Sequence, residues 1–153
     1  MDQHKAGFIR STLTPLFSSL QPEQKGKWGK MNAQQMVEHM SDAFRQANGK
    51  LKTKAVLTEE QTQKSYAFMM SEKPFRENTP NQLLPDIPPP VKNAGMKEAL
   101  AELQNEIDFF FKTYEGSPEL RIINPFFGNL NFQEQVQLLH KHATHHARQF
   151  DLA

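Results

Sequence analysis

The chain of 153 residues contains no cysteine. That excludes disulfides, thiolate metal ligands and a cysteine nucleophile, so any thiol in its chemistry must come from a small molecule. Net charge is also nearly absent: 18 Lys plus Arg stand against 17 Asp plus Glu, a formal +1. This balance offers no electrostatic case for nucleic acid or a membrane surface as partner. There is no run of about 18 apolar residues to span a membrane. No basic-then-apolar stretch marks a secretory signal, and a cytoplasmic location is the default expectation. No segment shows a convincing period-two alternation of apolar and polar residues, so strands are not expected. The length suits one domain over residues 1–153, large enough to bury a real core.

What the chain does have is histidine in one place. Four of its six histidines fall in Val136 to Phe150, VQLLHKHATHHARQF. Wound as an α-helix, Phe132, Val136, Leu139, Ala143 and Phe150 form one apolar stripe. At about 100° per residue, His146 lies roughly 40° and His142 roughly 80° from the stripe's centre, on the same side and one turn apart. Such an i, i+4 pair can reach one divalent ion, although packing and hydrogen bonding are the commoner use of it. His145 lies roughly 140° from the centre, beside Glu134 and Lys141, and is expected to face solvent. His140 falls about 80° to the opposite flank.

Outside this helix only His4 and His39 remain. His39 sits in NAQQMVEHMSDAF, where Ala33, Met36, Val37, Met40, Phe44 and Ala47 make a second stripe with His39 at its flank. Alone, such a residue reads as a half-buried, hydrogen-bonded histidine.

The run WGKMNAQQMVEHMSDAF from Trp28 to Phe44, followed by NPFFGNLNFQEQ and HKHATHHARQF, resembles the DinB-like metal-binding family, in a subgroup with no agreed reaction. The likeness spans most of the chain and is least informative between Leu51 and Val91. It implies a four-helix bundle in which one histidine of the second helix and an H-x-x-x-H pair of the last hold a divalent metal. Position by position these are His39, His142 and His146. It further implies a metal-dependent enzyme acting on a small-molecule substrate, either a transferase using a low-molecular-weight thiol or a hydrolase. Paired bundles in the family, with Phe109 lying off its helix's stripe, suggest a homodimer. Three imidazoles accept zinc, nickel, iron or copper, with zinc or nickel expected. Asp42, one turn after His39, is the best local candidate for a carboxylate behind the ligands, against a solvated surface acid. Gln149, one turn beyond His146, is either near the site or on the surface.

The remaining segments also read as helices. Ile9, Leu13, Leu16, Phe17 and Leu20 have helical spacing interrupted by Pro15, which predicts a kink or a restart. Gln21 to Lys30, with proline and two glycines, is a loop from which Trp28 packs over a helix end. Asn32 caps the His39 helix, which stops at Gly49. Thr58 with Gln61 opens a short helix over Glu59 to Ser71, with Met69 and Met70 filling core gaps. Met96, Leu100, Leu103, Ile107, Phe110, Phe111 and Tyr114 mark the clearest amphipathic helix, ended by Gly116. Glu119 to Leu130 reads as a loop pinned by Phe126 and Phe127, and Asn131 with Glu134 caps the histidine helix.

Between the second and third main helices, residues 72–92 hold six of the ten prolines, including Pro88-Pro89-Pro90, and form an extended crossover. The sum is an all-α four-helix bundle. The competing functional reading is a non-catalytic, metal-stabilised bundle that binds a small ligand or a protein partner.

Overall fold

A computed structural model of the protein describes residues 3–77 and 87–152. The first helical stretch is built in three pieces, α1 (Gln3–Gly7), a π-helical segment (Phe8–Thr12) and α2 (Leu13–Phe17). Pro15 lies inside α2, and the expected disturbance appears just before it. There the Leu13 N–H donates to the Phe8 carbonyl five residues back, a wider winding that keeps the chain helical. Ile9, Leu13 and Phe17 are fully buried along its inner edge.

Helix α3 (Ala33–Asn48) begins in a reciprocal capping box: Asn32 Oδ1 accepts from the Gln35 N–H, and Gln35 Oε1 accepts from the Asn32 N–H, each at 2.8 Å. It ends at Gly49, whose φ of 87° is the left-handed conformation glycine adopts without strain. Thr58 and Gln61 cap α4 (Glu59–Met70) in the same way, and Asn131 and Glu134 cap α6 (Phe132–Gln149). Helix α5 (Met96–Gly116) starts after Gly95 without a side-chain cap.

The main core lies between the first stretch, α3, α5 and α6. Ala33, Met36, Val37, Met40, Phe44 and Ala47 are all buried, as their spacing predicts. On α5 the buried face is Met96, Ala99, Leu103, Ile107, Phe110, Phe111 and Tyr114, with Leu100 only partly covered. Phe44 meets Phe110 edge-on at 5.9 Å, and Phe110 stacks on Phe132 at 5.6 Å. Phe44 and Phe110 are fully buried and each contributes roughly 2–3 kcal/mol of apolar transfer, while Phe132 is partly covered. Phe109 lies outside this core, 39% exposed, with the Lys50 ammonium 4.3 Å from its ring centre.

Two expectations change. Glu119 to Leu130 is not a plain loop: β1 (Ile122–Asn124) pairs antiparallel with β2 (Gly128–Leu130) in a short hairpin. Three-residue strands are too short to show an alternating pattern, and Gly128, at φ 97°, makes the reversal possible. Met69 is buried with Leu130 and Leu138 in a second small core, but Met70 on the next position of α4 is 42% exposed. Of the proline-rich crossover, residues 72–77 and 87–92 contain neither helix nor strand, whereas Pro80 and Pro85 lie outside the described residues. No helix among the described residues is long and apolar enough to cross a membrane.

Candidate metal centre

His39 projects from the middle of α3, on the edge that turns away from α5 toward α6. On α6 the inner positions beside the histidines are Ala143 and Ala147, both essentially unexposed, so small side chains leave room for imidazoles at their flank. The result is a cluster. The ring centroid of His39 lies 4.9 Å from that of His142 and 5.2 Å from that of His146, and the latter two are 4.7 Å apart. One ring nitrogen from each residue falls within 4.8 Å of the others, which positions the three to hold a metal ion. No other such group of histidine, cysteine or acidic side chains occurs among the described residues.

His39 Nε2 and His142 Nε2 face each other at 3.0 Å. His146 Nδ1 lies 2.7 Å from Gln149 Oε1. Burial is graded: His146 is 5% exposed, while His39 and His142 are half-buried.

Burial dominates the electrostatics, because a charged imidazolium loses its hydration there. It pushes His39 down to about 4, with the Asp42 carboxylate acting weakly upward and His145 downward. His142 is held well below the ordinary histidine value by burial and by its neighbours His146, His39 and His145. His146 is likewise held low by burial and His39, opposed by its hydrogen bond to Gln149. All three are therefore neutral near pH 7, the state in which imidazole donates a lone pair to a metal.

The other candidates separate cleanly. His140 packs edge-on against Phe8 at 5.4 Å, away from the cluster. His145 does not face solvent as its helical phase predicts. It is half-buried between Trp28 at 5.4 Å and Phe75 at 5.9 Å, with one ring nitrogen, Nδ1, enclosed without a partner. The reason is a second neighbour of α6. The face carrying Glu134, Lys141 and His145 is covered by α4 and the Ser71–Phe75 segment, where Lys141 Nζ donates to the carbonyls of Ser71 and Lys73 and Tyr66 donates to Glu134. Asp42 is bound to Arg45 at 2.8 Å, so its carboxylate is committed to an ion pair on the helix surface.

Gln149, for which spacing allows either the site or the surface, is buried at 3% exposure against His146. Trp28 packs over the end of α6, and its carbonyl accepts from Gln149 Nε2 at 2.9 Å. Nothing in the local pattern of either segment connects Gln21–Lys30 to α6, since the contact spans 121 residues.

A helical bundle that gathers three neutral histidines from its second and last main helices defines a class of metal-binding fold. Residues 8–150 match the family model of the DinB superfamily, and the chain belongs to that superfamily. Neither the curated proteins nor the solved structures supply a match.

Proposed function

We propose that the protein holds one divalent metal ion, zinc or nickel, through Nε2 of His39, His142 and His146. In this reading it is a metal-dependent enzyme acting on a small molecule, by thiol-dependent transfer or by hydrolysis. The observation that carries the reading is the convergence of three neutral ring nitrogens within 4.8 Å, drawn from two helices. The donor set fits the ion: imidazoles suit zinc and nickel, and three protein ligands are the usual complement of a catalytic rather than a structural site. An ion so held supplies Lewis acidity, lowering the pKa of a bound water or thiol and polarising a substrate oxygen. The half-buried rings of His39 and His142 provide the approach for a substrate, while buried His146 anchors the floor. Without cysteine, the chain leaves any thiol to the substrate side.

A second reading is favoured by the 3.0 Å approach of His39 to His142. A hydrogen bond there, one Nε2 donating and the other accepting, would pair one nitrogen of each ring in a non-catalytic bundle. Elemental analysis of protein purified without an affinity tag, followed by turnover assays with thiol-transfer and ester or amide substrates, separates the two. About one equivalent of metal with turnover is expected; no metal even after supplementation would overturn the proposal.

A further inference from the structure

We infer that Gln149, clamped by the Gly26–Gly29 loop, is a positioning residue that sets which nitrogen of His146 carries the proton and so presents Nε2 as a lone pair. The inference deepens the metal-site reading and rests on it for its effect on affinity, but the tautomer itself is a property of the metal-free chain.

The argument runs from the loop inward. A backbone carbonyl can only accept, so the Trp28 carbonyl at 2.9 Å must receive a proton from the Gln149 amide nitrogen. That determines which end of the amide faces which way. The other end, Oε1, is an acceptor only, and it lies 2.7 Å from His146 Nδ1. Nδ1 must therefore be the protonated nitrogen of the neutral ring, and Nε2 is left with its lone pair. An outer hydrogen bond of this kind is how proteins orient metal-binding histidines.

The loop is shaped around this one side chain. A Cβ at Gly26 would stand 2.8 Å from Gln149 Cγ, and one at Gly29 would stand 2.9 Å from Gln149 Nε2 at a φ of 77° that favours glycine. The Lys27 N–H also donates to the Gln149 carbonyl at 2.7 Å. Side chain and backbone of Gln149 are thus both held by four consecutive residues more than a hundred positions away, which gives the two glycines of that loop a purpose.

The test uses the full chain with 15N-labelled histidine, unmodified and as Gln149→Met and Gly29→Ala. Long-range 1H–15N spectra of the metal-free protein at pH 7.5 report the tautomer of His146, and competition with a chromophoric chelator reports zinc affinity. Expected are an Nδ1-protonated His146 in the unmodified chain and its loss in Gln149→Met with roughly 10–100-fold weaker zinc binding. Gly29→Ala, which keeps the Gln149 side chain but crowds its amide nitrogen, should move both readouts in the direction of Gln149→Met. A His146 that stays Nδ1-protonated in Gln149→Met, or that is Nε2-protonated in the unmodified chain, overturns the inference. If the unmodified chain takes up no zinc, the metal reading falls while the tautomer measurement still decides this one.

Discussion

His39 and His142 stand 103 residues apart in the chain, yet their Nε2 atoms lie 3.0 Å from each other. Only the folded state brings them together, so whatever binds at that point binds the native chain and not the unfolded one. Metal affinity is then added to folding stability. At a free metal concentration about 100 times the dissociation constant, the gain is about 2.7 kcal/mol. For a domain of this size that corresponds to a melting midpoint raised by roughly 5–10 °C. Thermal melts of metal-loaded protein with and without chelator check it; coincident midpoints would remove the claim.

Alanine at His39, His142 or His146 is expected to reduce bound metal sharply, because two imidazoles are too few to hold the ion. His140→Ala and His145→Ala should keep about one equivalent. His145→Ala should nevertheless lower stability, since its ring fills the space between Trp28 and Phe75. Metal content by mass spectrometry, read beside the melting midpoint of each variant, distinguishes a ligand from a packing residue.

The metal-free protein should lose stability on mild acidification. His39 has a folded value of about 4 against about 6.5 when exposed, and His142, His145 and His146 are lowered as well. The unfolded chain therefore binds protons that the folded chain refuses. Stability is full above about pH 6.5 and declines as pH falls toward 4, with His39 alone worth on the order of 3 kcal/mol. Urea midpoints measured between pH 7.5 and 4.5 report this directly, and a flat profile would contradict the neutral, buried state of the rings.

Glu38, the residue before His39, ties α3 to the segment leading into α5. Its buried carboxylate accepts from the N–H groups of Lys92 and Asn93 at 2.8 and 3.0 Å, and from the side-chain amides of Asn93 and Gln34 at 3.2 Å each. Burial alone would raise its pKa, but these donors outweigh it and hold the value below the ordinary carboxylate range. Glu38→Ala should cost roughly 2–4 kcal/mol by leaving those donors unpaired. Its contribution is present above about pH 4.5 and disappears as pH falls through the lowered value. Chemical denaturation of the variant and of the unmodified chain over a series of falling pH tests both parts: the difference should be largest at pH 7 and shrink below the ordinary carboxylate range.

Much of this molecule was legible in its sequence for a simple reason. Caps, stops and apolar stripes are local, and the helix repeat converts residue spacing into direction. Asn32, Thr58 and Asn131 therefore mark where three helices start, and the stripe of α3 is the buried face observed. The same repeat placed His142 and His146 on one edge of α6, and likeness to a known family joined His39 to them. What a helical wheel cannot show is how many neighbours a helix has. Helix α6 is packed on two sides, by the main core and by α4 with the Ser71–Phe75 segment, so Lys141 and His145 are covered although their phase points away from the stripe. The β1–β2 hairpin leaves no periodic signal in the sequence because its strands are too short to carry one. The clamp on Gln149 was likewise decided only by the tertiary structure. It joins two segments 121 residues apart through a backbone carbonyl, and every residue has such a carbonyl, so no side-chain pattern announces it.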